Sequence, residues 1–520
     1  MSERVVTFRA AFAEAAGHER ARRLDDAKRI YEAVLRQAPD SALAYHQLGL
    51  IARSEGRIGD AIGLFSQAIA VQPAFVEAYC NLGTVLQDCG DGTRAIEAFD
   101  TALTLDPDCL AARRLRRHAL LYLPGFTPAQ RFAEHRAFGA RVEPPPDSTL
   151  PPPAVDRNPE RRLRIGLVSS DFVGHPTGYN ALGMFVHRDA RAVTLIGYSA
   201  ASHADAITAQ FKANADGWRS VVGLSDRAIA EQVRADAIDI LGVLASHFDD
   251  NRPRVACYRP APLQVSLLDG ATSGLAAFDY WMGDPVTTPP DTKECFTEKV
   301  ARVPLVYNYQ PIAHAPAAGP PPVLRNGFIT FGSVNRPSKI SRAAVELWSA
   351  VLRALPSSRL LLRYFNWLAD PVLQGRLRTG FGAHGIAPDR IGFAPAERGH
   401  FETLGDIDIA LDTLPFTGAT TTFEALSVGV PVVTLAGDTT IERMSASILT
   451  AAGLGDLVAG SADAFVAIAT ALAADHARLA ALRASLGARI VASPLCDGPA
   501  FARSVETMWR TLWRAWCAGP

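Results

Sequence analysis

The sequence predicts an all-α array of helix pairs followed by two α/β units, each a parallel sheet with crossover helices. Three observations carry that prediction. The first hundred residues repeat with a 34-residue period, a proline-rich segment follows, and the remainder alternates short apolar strands with helical stretches. A chain of 520 residues also exceeds what one hydrophobic core accommodates, so two or three domains are expected. Its apolar fraction of 48% and charged fraction of 20% are those of soluble globular proteins. The formal net charge of −1 gives none of the basic excess expected of a nucleic-acid binder. The first residues, "MSERVVTFRAAFAEAAGHERARR", lack the apolar core of a secretory signal, and no stretch reaches the length of a membrane span. A cytoplasmic location without membrane partners is therefore expected. The seven cysteines are scattered, with no CxxC pair and no histidine at zinc spacing, and read as structural thiols.

The repeat is explicit. Ala27, Ala61 and Ala95 recur 34 apart, as do Tyr31, Phe65 and Phe99, and Pro39, Pro73 and Pro107, while Tyr45, Leu48 and Gly49 return as Tyr79, Leu82 and Gly83. This resembles a tetratricopeptide array. In each unit a small alanine lets two helices approach and a proline ends the second. Residues 1–125 then form three repeats with a capping helix, Leu110 to Leu123. Residues 126–160 form a helix and a stiff linker, "EPPPDSTLPPPAVDRNPE". The first α/β unit spans 161–318, with strands in "LRIGLVSSD", "VTLIGYSA" and "IDILGVL"; the second spans 319–520, with strands in "GFITFGS", "SRLLLRY", "RIGFAP", "IDIALDT" and "PVVTLAG". Two such units in tandem make a cleft, and ligands of open parallel sheets bind outside the carboxyl ends of the strands. "DID" at Asp406 to Asp408 has the spacing of a metal-binding pair but reads most simply as a strand entry.

The stretch "LDTLPFTGATTTFEAL" (Leu411 to Leu426) leaves a strand and starts a helix. A helix N-terminus presents unpaired N–H groups and the positive end of its dipole, which suit a phosphate. Gly418 lets the backbone come close. Thr420, Thr421 and Thr422 can cap the helix or donate to anionic oxygens. Glu424 suits the hydroxyls of a ribose diol. A plain N-cap is the alternative reading of this stretch taken alone.

The surrounding motifs add to it. "VSSDFVGHPTGYN", "ACYRPAPLQV", "DYWMGDPVTTPPDTKE", "NGFITFGSVNRPSKISR", the threonine turn and "SPLCDGPAFA" occur in this order behind the repeats. Together they resemble the SPINDLY and protein O-linked N-acetylglucosamine transferase family, glycosyltransferases of the 41 family with the GT-B fold. The resemblance covers nearly the whole chain. It implies that Lys339 contacts the donor diphosphate and stabilises the leaving nucleotide, with Asn335 and Arg336 beside it on the donor. The segment Gly418, Ala419, Thr420, Thr421, Thr422 would bind phosphate, and Glu424 would hold the ribose. His175 is the leading candidate to assist deprotonation of an acceptor hydroxyl and His247, in "LASHFDD", the second; Asp171, Thr177, Arg259 and Gln264 would shape the cleft. No cofactor or metal is expected, since the helix dipole and Lys339 supply the neutralising charge. The implied reaction is one inverting displacement from a nucleotide sugar onto Ser or Thr of a protein held by the repeats, which also leave a homodimer open.

Two departures bear on the donor. The acetylglucosamine-transferring animal members have a histidine after the glycine of the phosphate loop, where this chain has Ala419; its threonine run is nearer to the plant SPINDLY form, which uses GDP-fucose. "LLDGATSG" (Leu267 to Gly274) replaces an aromatic and Gly-Tyr-Pro element. Bacterial relatives with short arrays modify flagellin, including with nonulosonic acids, so a CMP-linked donor is an alternative. A repeat scaffold with an inactive transferase fold is another.

Overall fold

The computed structural model describes residues 3–145, 148–153, 155–248, 251–313, 315–395 and 397–519. Pro146, Asp147 and Ala154 of the expected linker lie outside them. The chain divides into two compact units, Met1–Leu123 with Thr330–Asp406, and Pro124–Ile329 with Ile407–Pro520.

The first unit begins with seven helices, α1 (Glu3–Arg20), α2 (Leu24–Gln37), α3 (Ala42–Ser54), α4 (Ile58–Val71), α5 (Val76–Asp88), α6 (Gly92–Leu105) and α7 (Leu110–Ala119). Helices α2, α4 and α6 stop two residues before Pro39, Pro73 and Pro107, as the proline spacing predicts. The repeated alanines are fully buried. The tightest contact, however, is made by the repeated glycines: a Cβ on Gly49 would lie 2.7 Å from the Phe65 ring, and one on Gly83 would lie 2.6 Å from the Phe99 ring. Phe65 and Phe99 therefore rest on the bare backbone of the partner helix, which is why glycine and aromatic recur together in these two repeats.

The second unit holds a seven-stranded sheet: β1 (Leu163–Ser169), β2 (Val193–Ser199), β3 (Gly217–Ser220), β4 (Ile240–Leu244), β5 (Leu263–Leu267), β6 (Tyr280–Gly283) and β7 (Lys299–Arg302). Their order is β3-β2-β1-β4-β5-β6-β7, all parallel. Strands β1, β4 and β5 are almost wholly buried, which fits the unbroken apolar run of β4, while β5 is buried although it carries Gln264 and Ser266. The order reverses between β1 and β4, so a crevice opens where these strands end. The second set of strands divides: β8 (Thr330–Ser333), β9 (Arg359–Leu362) and β10 (Ile391–Phe393) belong to the first unit. The others, β11 (Ile409–Leu411), β12 (Val432–Leu435) and β13 (Val458–Ala459), belong to the second. Of "DID", Asp406 pairs with Arg398 and Asp408 accepts from the Val323 N–H at 2.9 Å, so neither points to a metal. No single described helix is long and apolar enough to cross a membrane.

The helix before the linker, α8 (Pro128–Val142), opens with a capping box between Thr127 and Gln130. It is not a spacer. Gly139 approaches the sheet loop so closely that a Cβ would lie 1.9 Å from the Gly274 carbonyl oxygen, and Arg136 donates to that same oxygen at 2.8 Å. Because the obstacle is backbone, Gly139→Ala should cost about 3 kcal/mol or more, read as a fall of several degrees in the melting temperature, whereas Ala140→Ser, at the exposed next residue, should not.

Glu294 accepts from both the N–H and the hydroxyl of Thr440 at 2.7 Å. Burial, with Glu442 nearby, outweighs these bonds and the Arg131 charge and pushes its carboxyl up to about 7. The folded state thus holds a proton that the unfolded chain releases near the ordinary value of 4.5, so stability falls as pH rises between those two values. Glu294→Gln keeps an acceptor and removes the charge. It should raise the melting temperature at pH 8 by roughly 2–4 °C and change little at pH 5.

Candidate active site

Strands β1 and β4 place the two histidines at the same edge of the sheet. His175 follows β1 as the N-cap of helix α9 (Pro176–Val186), and its Nδ1 accepts from the Thr177 N–H at 3.3 Å. With Nδ1 accepting, the neutral ring carries its proton on Nε2. The carboxylate of Asp171 lies 3.8 Å from Nδ1. Asp171 is itself buried and held by Asn251 Nδ2 at 2.8 Å, while Asn251 Oδ1 accepts from the Ser170 N–H at 2.8 Å and the Ser169 hydroxyl at 3.0 Å. A shift of the proton to Nδ1, facing Asp171, would leave Nε2 as a base; the ring keeps 34% side-chain exposure, enough to meet a substrate.

His247 follows β4 and has a different role. It is 2% exposed, with Nδ1 2.7 Å from Asp269 Oδ1 and Nε2 3.3 Å from His135 Nδ1 on α8. Asp269 also accepts from Ser246 and the Gly270 N–H. This buried chain pins α8 to the 267–274 loop, so the structure argues against His247 as the group that meets an acceptor. That loop, the second departure noted in the sequence, is fixed further by Glu298, which accepts from the hydroxyls of Thr272 and Ser273 and the Ser273 N–H. Arg259 and Gln264 were expected to shape the cleft. They lie instead at the amino end of β5, where Asp279 accepts from Arg259 Nη1 and from the Gln264 N–H. In a parallel sheet that end is the edge opposite the histidines.

The threonine turn follows β11. The fully buried Asp412 organises it: Oδ1 accepts from the N–H groups of Thr413 and Gly418 at 2.8 Å, and Oδ2 from the Thr434 hydroxyl at 2.6 Å. Burial raises its pKa above the usual carboxylate range, against the pull of these bonds. A Cβ on Gly418 would lie 2.3 Å from Thr422 Oγ1, so the glycine is needed by the turn's own packing. The helix Thr420–Ser427 begins at Ala419, which makes no side-chain cap bond. The threonines therefore do not cap it, contrary to expectation; they are its first turn. Thr422 is committed to Ser445, 2.7 Å away. Glu424 sits half-buried one turn in.

Tyr309 packs between these parts. Its ring stacks on Phe423 of the threonine helix at 4.2 Å and 15°. Its hydroxyl faces the side chains of Asn180, on α9, and Thr420, with Glu424 nearby, and burial raises its pKa so that it stays protonated. Asn180 in turn accepts from the Asn308 N–H at 3.1 Å. The Tyr309 hydroxyl and Thr420 Oγ1 are both buried without a partner at hydrogen-bonding geometry among the described residues.

In the first unit, Lys339 ends a 3-10 turn, Pro337–Lys339, after β8. Asn335 is buried, its amide donating to Ser333 Oγ at 3.2 Å. Arg336 pairs with Asp88 of α5 at 3.0 Å and lies over the Trp367 ring. Nothing in the sequence signalled Asp88, Asn251 or Tyr309, because each is defined by a partner distant in the chain; Asp412 lies in the threonine stretch, but its bond to Thr434 was not readable there.

The model of the glycosyl transferase family 41 matches residues 152–310 and 323–505, and tetratricopeptide models match 12–75 and 76–109. A probable UDP-N-acetylglucosamine–peptide N-acetylglucosaminyltransferase SPINDLY of Oryza sativa is 35% identical over 82% of this chain and 46% of its own length. Its namesake in Arabidopsis thaliana is 35% identical over 80% and 46%. The chain thus spans less than half the length of these curated relatives. The solved structure of a lysine-to-methionine mutant of the Thermobaculum terrenum O-GlcNAc transferase is 35% identical, covers 99% of each chain and superposes with a TM-score of 0.91. The tetratricopeptide array joined to a GT-B fold, expected from the sequence, is therefore the architecture found.

The Tyr309 hydroxyl is buried between Asn180 and Thr420 without full hydrogen-bond geometry to either, so little bonding is lost when it is removed. Tyr309→Phe should change the stability of the ligand-free protein by no more than about 1 kcal/mol, measured as a melting temperature within a few degrees of the wild type.

Proposed function

We propose, because the chain belongs to glycosyl transferase family 41, that it is a protein O-glycosyltransferase. In this reading a Ser or Thr hydroxyl attacks the anomeric carbon of a nucleotide sugar, the bond to the diphosphate breaks with inversion, and the hydroxyl proton passes to a base. The observation that carries it is that the family match spans both β1–α9, with His175, and the Gly418–Thr422 turn. UDP-N-acetylglucosamine and GDP-fucose are the donors proposed, the second favoured by Ala419 and the threonine run. The repeats present the acceptor protein.

Each role has a physical basis. His175 stands at the carboxyl end of β1 with Asp171 behind its inner nitrogen, an arrangement that supports an imidazolium as it forms. The uncapped start of the Thr420–Ser427 helix suits an anionic phosphate, and Glu424 suits the ribose hydroxyls. Lys339 is assigned to the leaving diphosphate, where an ammonium offsets charge that develops as the bond breaks. Main-chain amides and this amine are proposed to suffice without a divalent ion, so a chelator should leave the rate unchanged.

The purified chain, supplied with labelled UDP-N-acetylglucosamine, GDP-fucose and a CMP-linked nonulosonic acid plus a protein extract, should transfer one of these sugars to protein. Lys339→Ala should lower kcat on the order of a hundredfold or more, and His175→Ala should also abolish most turnover while His247→Gln acts through stability. The absence of both transfer and donor hydrolysis with every one of these donors would refute the enzyme reading and leave the repeat scaffold.

A further inference from the structure

The turn that carries Lys339 is built against the repeat array within the first unit. Asp88, the last residue of α5, is 4% exposed and holds two guanidinium groups: Arg53 of α3 at 2.8 Å and Arg336, three residues before Lys339, at 3.0 Å. Two residues on, Gly90 has φ +81, and a Cβ there would lie 2.9 Å from the Pro337 carbonyl oxygen and 3.1 Å from that of Ile340, the residues flanking Ser338 and Lys339. Arg376 donates to the carbonyls of Cys89 and Gly90, clamping the same loop from the other side. Arg336 is further fixed over Trp367, 5.4 Å from its centroid.

A buried carboxylate shared by two arginines is costly to break and directional, so it defines where Arg336 can sit. The Lys339 N–H donates to the Arg336 carbonyl at 2.9 Å, which transmits that position to the lysine turn. A repeat array that only carried an acceptor would need no bond of this kind at its base.

We infer that the Asp88–Gly90 loop of the array is part of the seat of the donor lysine, and that Asp88 is a positioning residue for transfer, acting through Arg336. The inference rests on the proposed role of Lys339. It gives the repeats a second task, setting the geometry of leaving-group stabilisation.

The test uses the full chain and whichever donor the wild type turns over. Asp88→Asn keeps the side-chain size and loses the charge; it should reduce kcat/KM roughly ten- to a hundredfold, and weaken UDP or GDP in calorimetric titration. Arg336→Gln, as the second variant should the first fold poorly, should give the same loss, with no further loss in the double variant. Arg53→Met removes the other partner of Asp88 without touching the lysine turn, and should lower the melting temperature while leaving kcat/KM within about twofold. If Lys339→Ala is inactive but Asp88→Asn and Arg336→Gln keep wild-type kcat/KM and nucleotide affinity, the inference is overturned and the family reading stands. If Lys339→Ala retains activity, it is the role of Lys339 that fails. A loss in Arg53→Met equal to that in Asp88→Asn would also overturn it, marking a general effect of stability.

Discussion

Parallel pairing is the constraint on which the candidate site depends. When every strand of a sheet runs the same way, every strand ends at one edge, and the loops that leave those ends are gathered whatever their distance in the chain. Strands β1 and β4 meet at the point where the strand order reverses, and so His175 and the Asp171–Asn251 pair come together with the His247 loop. The same rule sends Arg259 and Gln264 to the opposite edge, although they too sit in a family motif.

A gathered loop must still be held in shape, and here buried carboxylates do that work. Asp412 collects two N–H groups and a hydroxyl beneath the threonine turn. Asp269 anchors His247, and Asp88 joins two arginines. Each sits in a poorly solvated place, where an ionised group is tolerated only if its acceptor sites are filled. Rigidity follows, since none of these groups can turn away without leaving a buried charge unpaired. The hydroxyls of Tyr309 and Thr420 are the contrast: neutral donors are far cheaper to leave without full hydrogen-bond geometry than charges, and they stand beside a helix start that lacks a side-chain cap.

The array at the N-terminus follows a different logic. Its helix pairs are held by aromatic rings lying on glycine backbone and by buried alanines, contacts that are local and repeat with the sequence. At its base the logic changes to ion pairs and carbonyl clamps, through Asp88, Gly90 and Arg376, which bind it to the segment carrying Lys339. An array attached in this way is part of the first unit's construction.

Much was legible in the sequence alone because it depends on neighbours in the chain. The 34-residue period, the helix ends before each proline, three strands of the first sheet and five of the second set follow from local pattern, and the motif order sufficed for the family. The short strands β3, β5, β6, β7 and β13 were not legible, being too brief or too polar to stand out. Nor was the use of individual side chains. That the threonines form a first turn instead of a cap, that His247 is spent on Asp269 and His135, and that Arg336 turns to Asp88 were decided by partners far away in sequence. A residue's type and neighbours fix what bonds it can make; only the packed fold decides which of them it makes, because burial forces each polar group to take the partner that arrives beside it.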